Sequence, residues 1–363
     1  MNHLIIYIDK TISECFSATE LSNAEKDFFL ELATSHQRGK CFVCGDVNSI
    51  DTLCRKLDKS ESSLYQIINN GHIGVKAIVD MAEVVLAITC GENADLPEFI
   101  SKKARVIRMQ DAIEYEINAK CCLVGENLSD CKFYSLLAER YIYQHSLNGV
   151  GISLHNELGG GHTTSTVFQK CVEDDKVPTL CIVDSDIRHG KTKRFRCDPA
   201  KGSTVRKLEK TLGEIATGIP PIYELYAIPI HEVENLLPIH LMETLSSDLP
   251  DILIGTAYLK KLRDTGRGDA ILYYDFKEGT PKIIDGPSKA YWDEIVSIIN
   301  DNSFPKVSGN RLLQRSVKKL AETTGEGVKL AVRIELDNYL LDLWEGIGRK
   351  VFSWGCASQA FRA

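Results

Sequence analysis

The sequence predicts an α/β fold: a Rossmann-like parallel-sheet core, with an N-terminal α/β domain before it and a mostly helical extension after it. Three observations lead there. Short apolar runs such as Leu180-Cys181-Ile182-Val183, opened by the β-branched Thr179, have the length and composition of strands buried on both faces of a parallel sheet. Between them lie stretches of helical period, such as residues 130–143, where Phe133, Leu136, Leu137 and Tyr141 form one stripe. Strand-then-helix alternation of this kind implies βαβ units.

Taken in order, residues 1–118 form the first domain. Residues 4–8 read as a buried strand. Ser22 can cap a helix whose Phe28, Phe29 and Leu32 share a face. Residues 41–44 read as a second strand, 77–88 as a helix and 105–109 as a strand. No catalytic constellation stands out, so a regulatory or partner-docking role is expected. Residues 119–238 form the core, with strands over 120–125, 179–183 and 225–230, a helix over 130–143 and a turn at Gly159-Gly160-Gly161. Residues 239–363 carry helical spacing over 250–263, 291–300, 309–323 and 334–347. One strand-like interruption falls at 270–276. No internal repeat or low-complexity tract is visible.

The 363 residues are 44% hydrophobic and 26% charged, with a net charge of −7. That describes an ordinary globular protein, and its global charge does not advertise nucleic-acid binding. No run approaches the about 18 apolar residues of a membrane span. The opening MNHLIIYIDK lacks a basic region followed by a long apolar stretch. A reducing cytoplasmic location is therefore expected, with the twelve cysteines as buried thiols. Cys41 and Cys44 form one CxxC, but the further ligands that zinc requires are missing at suitable spacing.

Chemistry concentrates in three acidic motifs, each after a predicted strand: Gly125-Glu126-Asn127-Leu128-Ser129-Asp130, Asp184-Ser185-Asp186, and His231-Glu232-Val233-Glu234-Asn235. The strands of a parallel sheet all end on one edge, where ligands bind. Carboxylates far apart in sequence would therefore converge, and converging carboxylates repel unless a cation sits among them. Magnesium suits such a set, because it is a hard ion that takes oxygen ligands. Asp184 and Asp186 are two apart, so an extended segment would point both to one side. Singly, each motif could equally be a turn or a helix cap.

This ordered set resembles the TOPRIM superfamily, which has a Glu after its first strand and a DxD after a later one. Within it, the chain is most similar to OLD-type nucleases and stand-alone bacterial anti-phage relatives. The matches are Val124, Glu126, Asp130, Phe133 and Tyr134, then Val183, Asp184 and Asp186, then Glu234, Asn235 and Leu236. The family's usual Glu-Gly is here Glu126-Asn127, and Asn tolerates the left-handed backbone such a turn could need. The resemblance covers residues 119–238. It implies a Mg2+- or Mn2+-dependent endonuclease acting on DNA or RNA in antiviral defence. Glu126, Asp130, Asp184 and Asp186 would be metal ligands, and Glu234 a further ligand or base. Relatives with their own ATPase domain imply that any ATPase here is a separate partner or sensor subunit. A homo-oligomer is left open.

A basic run follows the DxD: Arg188, Lys191, Lys193, Arg194 and Arg196, continuing to Lys210. It could neutralise phosphates beside the metals, or be a solvated face. Gly190-Lys191-Thr192 imitates the end of a phosphate loop, but the glycine that loop needs five residues earlier is Ser185. Lys277, after the apolar run 271–276, could stabilise developing negative charge, or be an ordinary turn lysine. His231 and His162 are read as structural. Two rival readings remain, a topoisomerase- or primase-like enzyme and a catalytically decayed TOPRIM scaffold.

Overall fold

The computed structural model describes residues 4–57, 65, 68, 75–190, 202–215, 219–245, 250–279, 286–307 and 311–359. Two four-stranded parallel sheets organise it. The first contains β1 (Ile5–Ile8), β2 (Phe42–Gly45), β3 (Val85–Thr89) and β4 (Ala104–Arg108), in the order β2-β1-β3-β4. The second contains β5 (Cys122–Gly125), β7 (His155–Leu158), β8 (Thr179–Val183) and β9 (Tyr223–Ala227), in the order β7-β5-β8-β9. Both place their own first strand between the second and third. A short antiparallel pair joins β6 (Val150–Ile152) to β10 (Cys356–Ser358), bringing the C-terminal end of the described chain back onto the core.

Local signals explain most of these elements. Ser22 caps the helix Asn23–Gln37 through a reciprocal pair: its hydroxyl accepts from the Glu25 N–H, and the Glu25 carboxylate accepts from the Ser22 N–H. Phe28, Phe29 and Leu32 are all buried along that helix. Residues 77–88 depart from the expected single helix. The helix ends at Met81, and Val85–Thr89 is a wholly buried strand. Valine and isoleucine in a central strand outweigh a helical spacing that covered two elements. The expected strand at 270–276 is also corrected. A 3-10 helix runs over Gly268–Tyr273, because a continuous apolar run does not distinguish a buried helix from a buried strand.

The helix Asn338–Gly355 welds the two sheets together. Trp344 and Trp354 are buried, and Trp344 meets Phe133 edge-on at 5.5 Å between ring centres. Beside this helix, Glu224 of β9 accepts from Arg105 of β4 at 2.5 Å and from Lys350 at 2.7 Å. One hydrophobic cluster runs from Leu4 through Leu123 to Trp354, so residues 1–118 share a core with the second sheet and the helix Asn338–Gly355.

The cysteine expectation holds for eight positions and fails for one pair and for Cys54, a thiol only partly buried, while Cys197 lies outside the described residues. Cys41, Cys44, Cys121, Cys122, Cys131, Cys171, Cys181 and Cys356 are buried thiols, whereas Cys15 and Cys90 are disulfide-bonded, with Cα atoms 6.4 Å apart. The Cys41 and Cys44 thiols reach the carbonyl oxygens of Leu32 and Ile6. Among the described residues, no helix is long and apolar enough to cross a membrane.

Candidate active site

All four strands of the second sheet run in parallel, so their C-terminal ends share one edge. Glu126 follows β5, Asp184 follows β8, and the Glu232–Glu234 turn lies beyond β9. A cavity of about 490 Å³ opens there, lined by Glu126, Asp130, Asp184, Glu234, Lys277 and Arg311 among others. Four carboxylates from three separate stretches of the chain thus line one cavity.

Local packing fixes each of them. A Cβ on Gly125 would stand 2.7 Å from the Cys131 sulfur, so only glycine lets the helix Leu128–Gln144 approach the end of β5 this closely. Beyond it, the N–H groups of Gly159 and Gly160 donate to the carbonyls of Gly125 and Glu126, at 2.8 and 3.0 Å. This staples the glycine turn beside Glu126. Asn127 is extended (φ −132°), so the departure from Glu-Gly requires no left-handed backbone. Asp130 Oδ2 accepts from the Asn127 N–H at 2.8 Å, which makes Asp130 a helix-capping residue as well as a cavity residue.

Asp184 Oδ1 accepts from the Val233 N–H at 2.9 Å, tying the end of β8 to the acidic turn. That turn is braced from behind by Asn235, which is fully buried. Its amide donates to the carbonyls of Ile271 and Tyr274, and its oxygen accepts from the Glu232 N–H. The same side chain therefore positions the turn and the segment leading to Lys277. Next, Asp275 Oδ1 accepts from the N–H groups of Lys277 and Glu278, an Asx turn that presents the lysine.

Lys277 Nζ lies 2.6 Å from Glu232 Oε2 and 3.7 Å from Glu234 Oε2. Burial works against its charge, but Glu232 and Glu234 outweigh that and raise its pKa. Burial pushes the Asp130 carboxyl up to about 7, against the lowering effect of the Asn127 N–H and with Glu234 and Glu126 adding repulsion. Desolvation, then Glu234, Glu126 and Asp130, hold Asp184 well above the usual carboxylate range. Glu126 is raised by desolvation and by Asp186. Glu232 reaches about 7 by burial and by the proximity of Glu234, opposed by Lys277.

The DxD pair does not act as one face. Asp186 has φ +55°, so the chain turns there instead of staying extended. Asp184 lines the cavity and Asp186 does not. Asp186 packs so tightly on Gly202 that a Cβ there would stand 1.9 Å from its Oδ2. It remains near enough to Glu126 to raise that carboxyl. Arg188 is exposed, and its carbonyl accepts from the Trp292 indole at 2.8 Å. Lys191, Lys193, Arg194 and Arg196 lie outside the described residues.

Two residues of this neighbourhood escape the sequence reading. Glu232 sits inside a quoted motif, yet only the fold shows its Oε1 accepting from the Phe276 N–H at 3.0 Å while Oε2 holds Lys277. Arg311 follows an uninformative Ser-Gly-Asn stretch and gives no signal beyond a charge before a helical run. His231 is buried, with Nε2 3.7 Å from Asp275 Oδ2 and Nδ1 3.1 Å from the Ile187 carbonyl.

Whether these residues suit a cation is decided by their oxygens. Among the described residues, no group of three or more His, Cys, Asp or Glu side chains is placed to hold a metal ion. Asp130 Oδ1 and Glu234 Oε2, however, are buried without a hydrogen-bond partner. Buried carboxylate oxygens without partners are costly, and a hard divalent ion is what an all-oxygen set would satisfy. Carboxylate oxygens are the donor class that magnesium and manganese take.

Compared with known proteins, the chain matches no family model, no curated protein and no solved structure.

Proposed function

We propose that this protein is a metal-dependent phosphodiester hydrolase, an endonuclease acting on nucleic acid through a TOPRIM-type site. The observation that carries this reading is the meeting of Glu126, Asp130, Asp184 and Glu234 in one cavity at the C-terminal edge of a parallel sheet, with two of their buried oxygens left without a hydrogen bond. These four residues would hold Mg2+ or Mn2+. A divalent ion bound there supplies Lewis-acid polarisation of a phosphoryl oxygen and lowers the pKa of water.

The remaining work falls to the chain itself. Lys277 brings a fixed positive charge to the cavity and would stabilise the negative charge that develops as the phosphodiester breaks. Glu232 is a positioning residue, gripping both the Phe276 backbone and the Lys277 head group. Asp186, which is not among the cavity-lining residues but raises the Glu126 carboxyl, would act through that neighbour.

The test is cleavage by the purified full chain. Single- and double-stranded DNA and RNA should be cut in Mg2+ or Mn2+, and cutting should stop in EDTA and return with added metal. Cleavage indifferent to EDTA, or absent from every substrate with either ion, would overturn the reading.

A further inference from the structure

The cavity has a second wall whose chemistry is opposite to the first. It is formed by Arg311 and by Leu312, Leu313 and Gln314, the opening turn of the helix Leu312–Leu320. That turn has no side-chain cap and no acidic residue. The N–H groups of a helix start carry partial positive charge and favour anions, phosphate above all. Arg311 is exposed, and among the described residues its guanidinium forms no hydrogen bond or ion pair, although four carboxylates line the same cavity. A cation that shares a cavity with acids yet pairs with none of them is free for an incoming anion.

The opposing wall points to the same ligand. Asp130 is 3% exposed and Glu234 9%; both line the cavity, Asp130 Oδ1 is buried with no hydrogen-bond partner, and Glu234 Oε2 has no hydrogen bond, only Lys277 Nζ at 3.7 Å. A ligand that satisfies both walls must bring positive charge to one and negative charge to the other. A phosphodiester accompanied by a divalent cation does so.

We propose that Arg311 and the first turn of the helix Leu312–Leu320 form a phosphate subsite that seats the nucleic-acid backbone across from the carboxylates. This deepens the nuclease reading and rests on it. Arg311 also holds φ +71°, a backbone region that favours glycine. Arg311→Gly should therefore fold at least as well as the wild type while removing the charge.

The experiment measures binding by fluorescence anisotropy, using a labelled single strand of about a dozen nucleotides, a length that spans a typical single-strand groove. Calcium replaces magnesium in the buffer so that an oxygen-lined site can fill. Arg311→Gly should lose about tenfold or more in affinity, the scale of one charge-assisted hydrogen bond. The slope of log affinity against log salt should fall by about 0.7, the counterion released per single-strand phosphate contact. Arg311→Lys should restore the slope and part of the affinity, since lysine keeps the charge but not the fork. A melting temperature at or above that of the wild type shows that the loss is not unfolding.

Affinity within about twofold of the wild type, with an unchanged slope, would overturn the subsite. So would an Arg311 dependence seen for inorganic phosphate but not for the oligonucleotide. A wild type that binds in an Arg311-dependent way yet never cleaves would overturn the nuclease reading and leave the subsite standing.

Discussion

Asp184→Asn should lower metal-dependent cleavage by at least about 10²–10³-fold, the scale of removing one fixed electrostatic partner of a transition state. Asparagine suits this test better than alanine. Asp184 Oδ1 accepts from the Val233 N–H, and an amide oxygen can keep that bond while losing the charge. Alanine would leave a backbone donor unpaired and mix a folding defect into the result. Glu126→Gln should behave alike, since Glu126 follows β5 on the same sheet edge. Unfolding curves should show both variants to be no less stable than the wild type without metal, because each relieves repulsion within the cluster. Undiminished cleavage in both variants would remove these carboxylates from the chemistry.

The second large effect concerns pH. Asp130 has a folded pKa of about 7, against an unfolded value near 3.9. Between those values the native state binds more protons than the unfolded chain, so this residue's contribution to stability falls as pH rises, levelling off above pH 7. A rise from the ordinary aspartate range to about 7 corresponds to roughly 4 kcal/mol, as an order of magnitude. Asp130→Asn should therefore be more stable than the wild type by about 2–4 kcal/mol at pH 8 in EDTA. The difference should shrink toward zero near pH 4. Saturating Mn2+ should narrow or reverse it, because the ion stabilises the carboxylate and not the amide. Urea unfolding at several pH values reads this directly, and a gap that does not change with pH would contradict the assignment of burial and repulsion to Asp130.

The sequence foreshadows much of this arrangement, and particular residues show where it stops. Thr179–Val183 is readable as a buried strand because all five residues are apolar, β-branched or small, and the strand has those limits. Glu126, Asp130 and Asp184 are readable as convergent because each lies just past a strand end or one helical turn on, with Glu234 in the turn that follows β9, and a parallel sheet supplies the common edge.

What escapes depends on long-range packing. The turn at Asp186 reflects its close approach to Gly202 and its N–H bond to the His231 carbonyl, neither of which a DxD spacing encodes. Strand β7 carries His155, Asn156 and Glu157, a polar composition that pairing with β5 overrides. The segment after Gly268 looks like a strand because it is apolar, yet Asn235 fixes its carbonyls in a helical turn from 36 and 39 residues away. Arg311 reaches the site only because the helix Leu312–Leu320 packs its opening turn against the cavity. The shared core likewise shows only in three dimensions, through Glu224 held by Arg105 and Lys350.

The central claim is that these carboxylates hold a divalent cation. Titrating the full chain with Mn2+ at pH 8 and following free manganese by electron paramagnetic resonance tests it without reference to any substrate. Saturable binding is expected of the wild type, with its loss in Asp184→Asn and Glu126→Gln, and Arg311→Gly should bind manganese as the wild type does. Absence of saturable binding, or binding undiminished when Asp184 and Glu126 are both replaced, would contradict it.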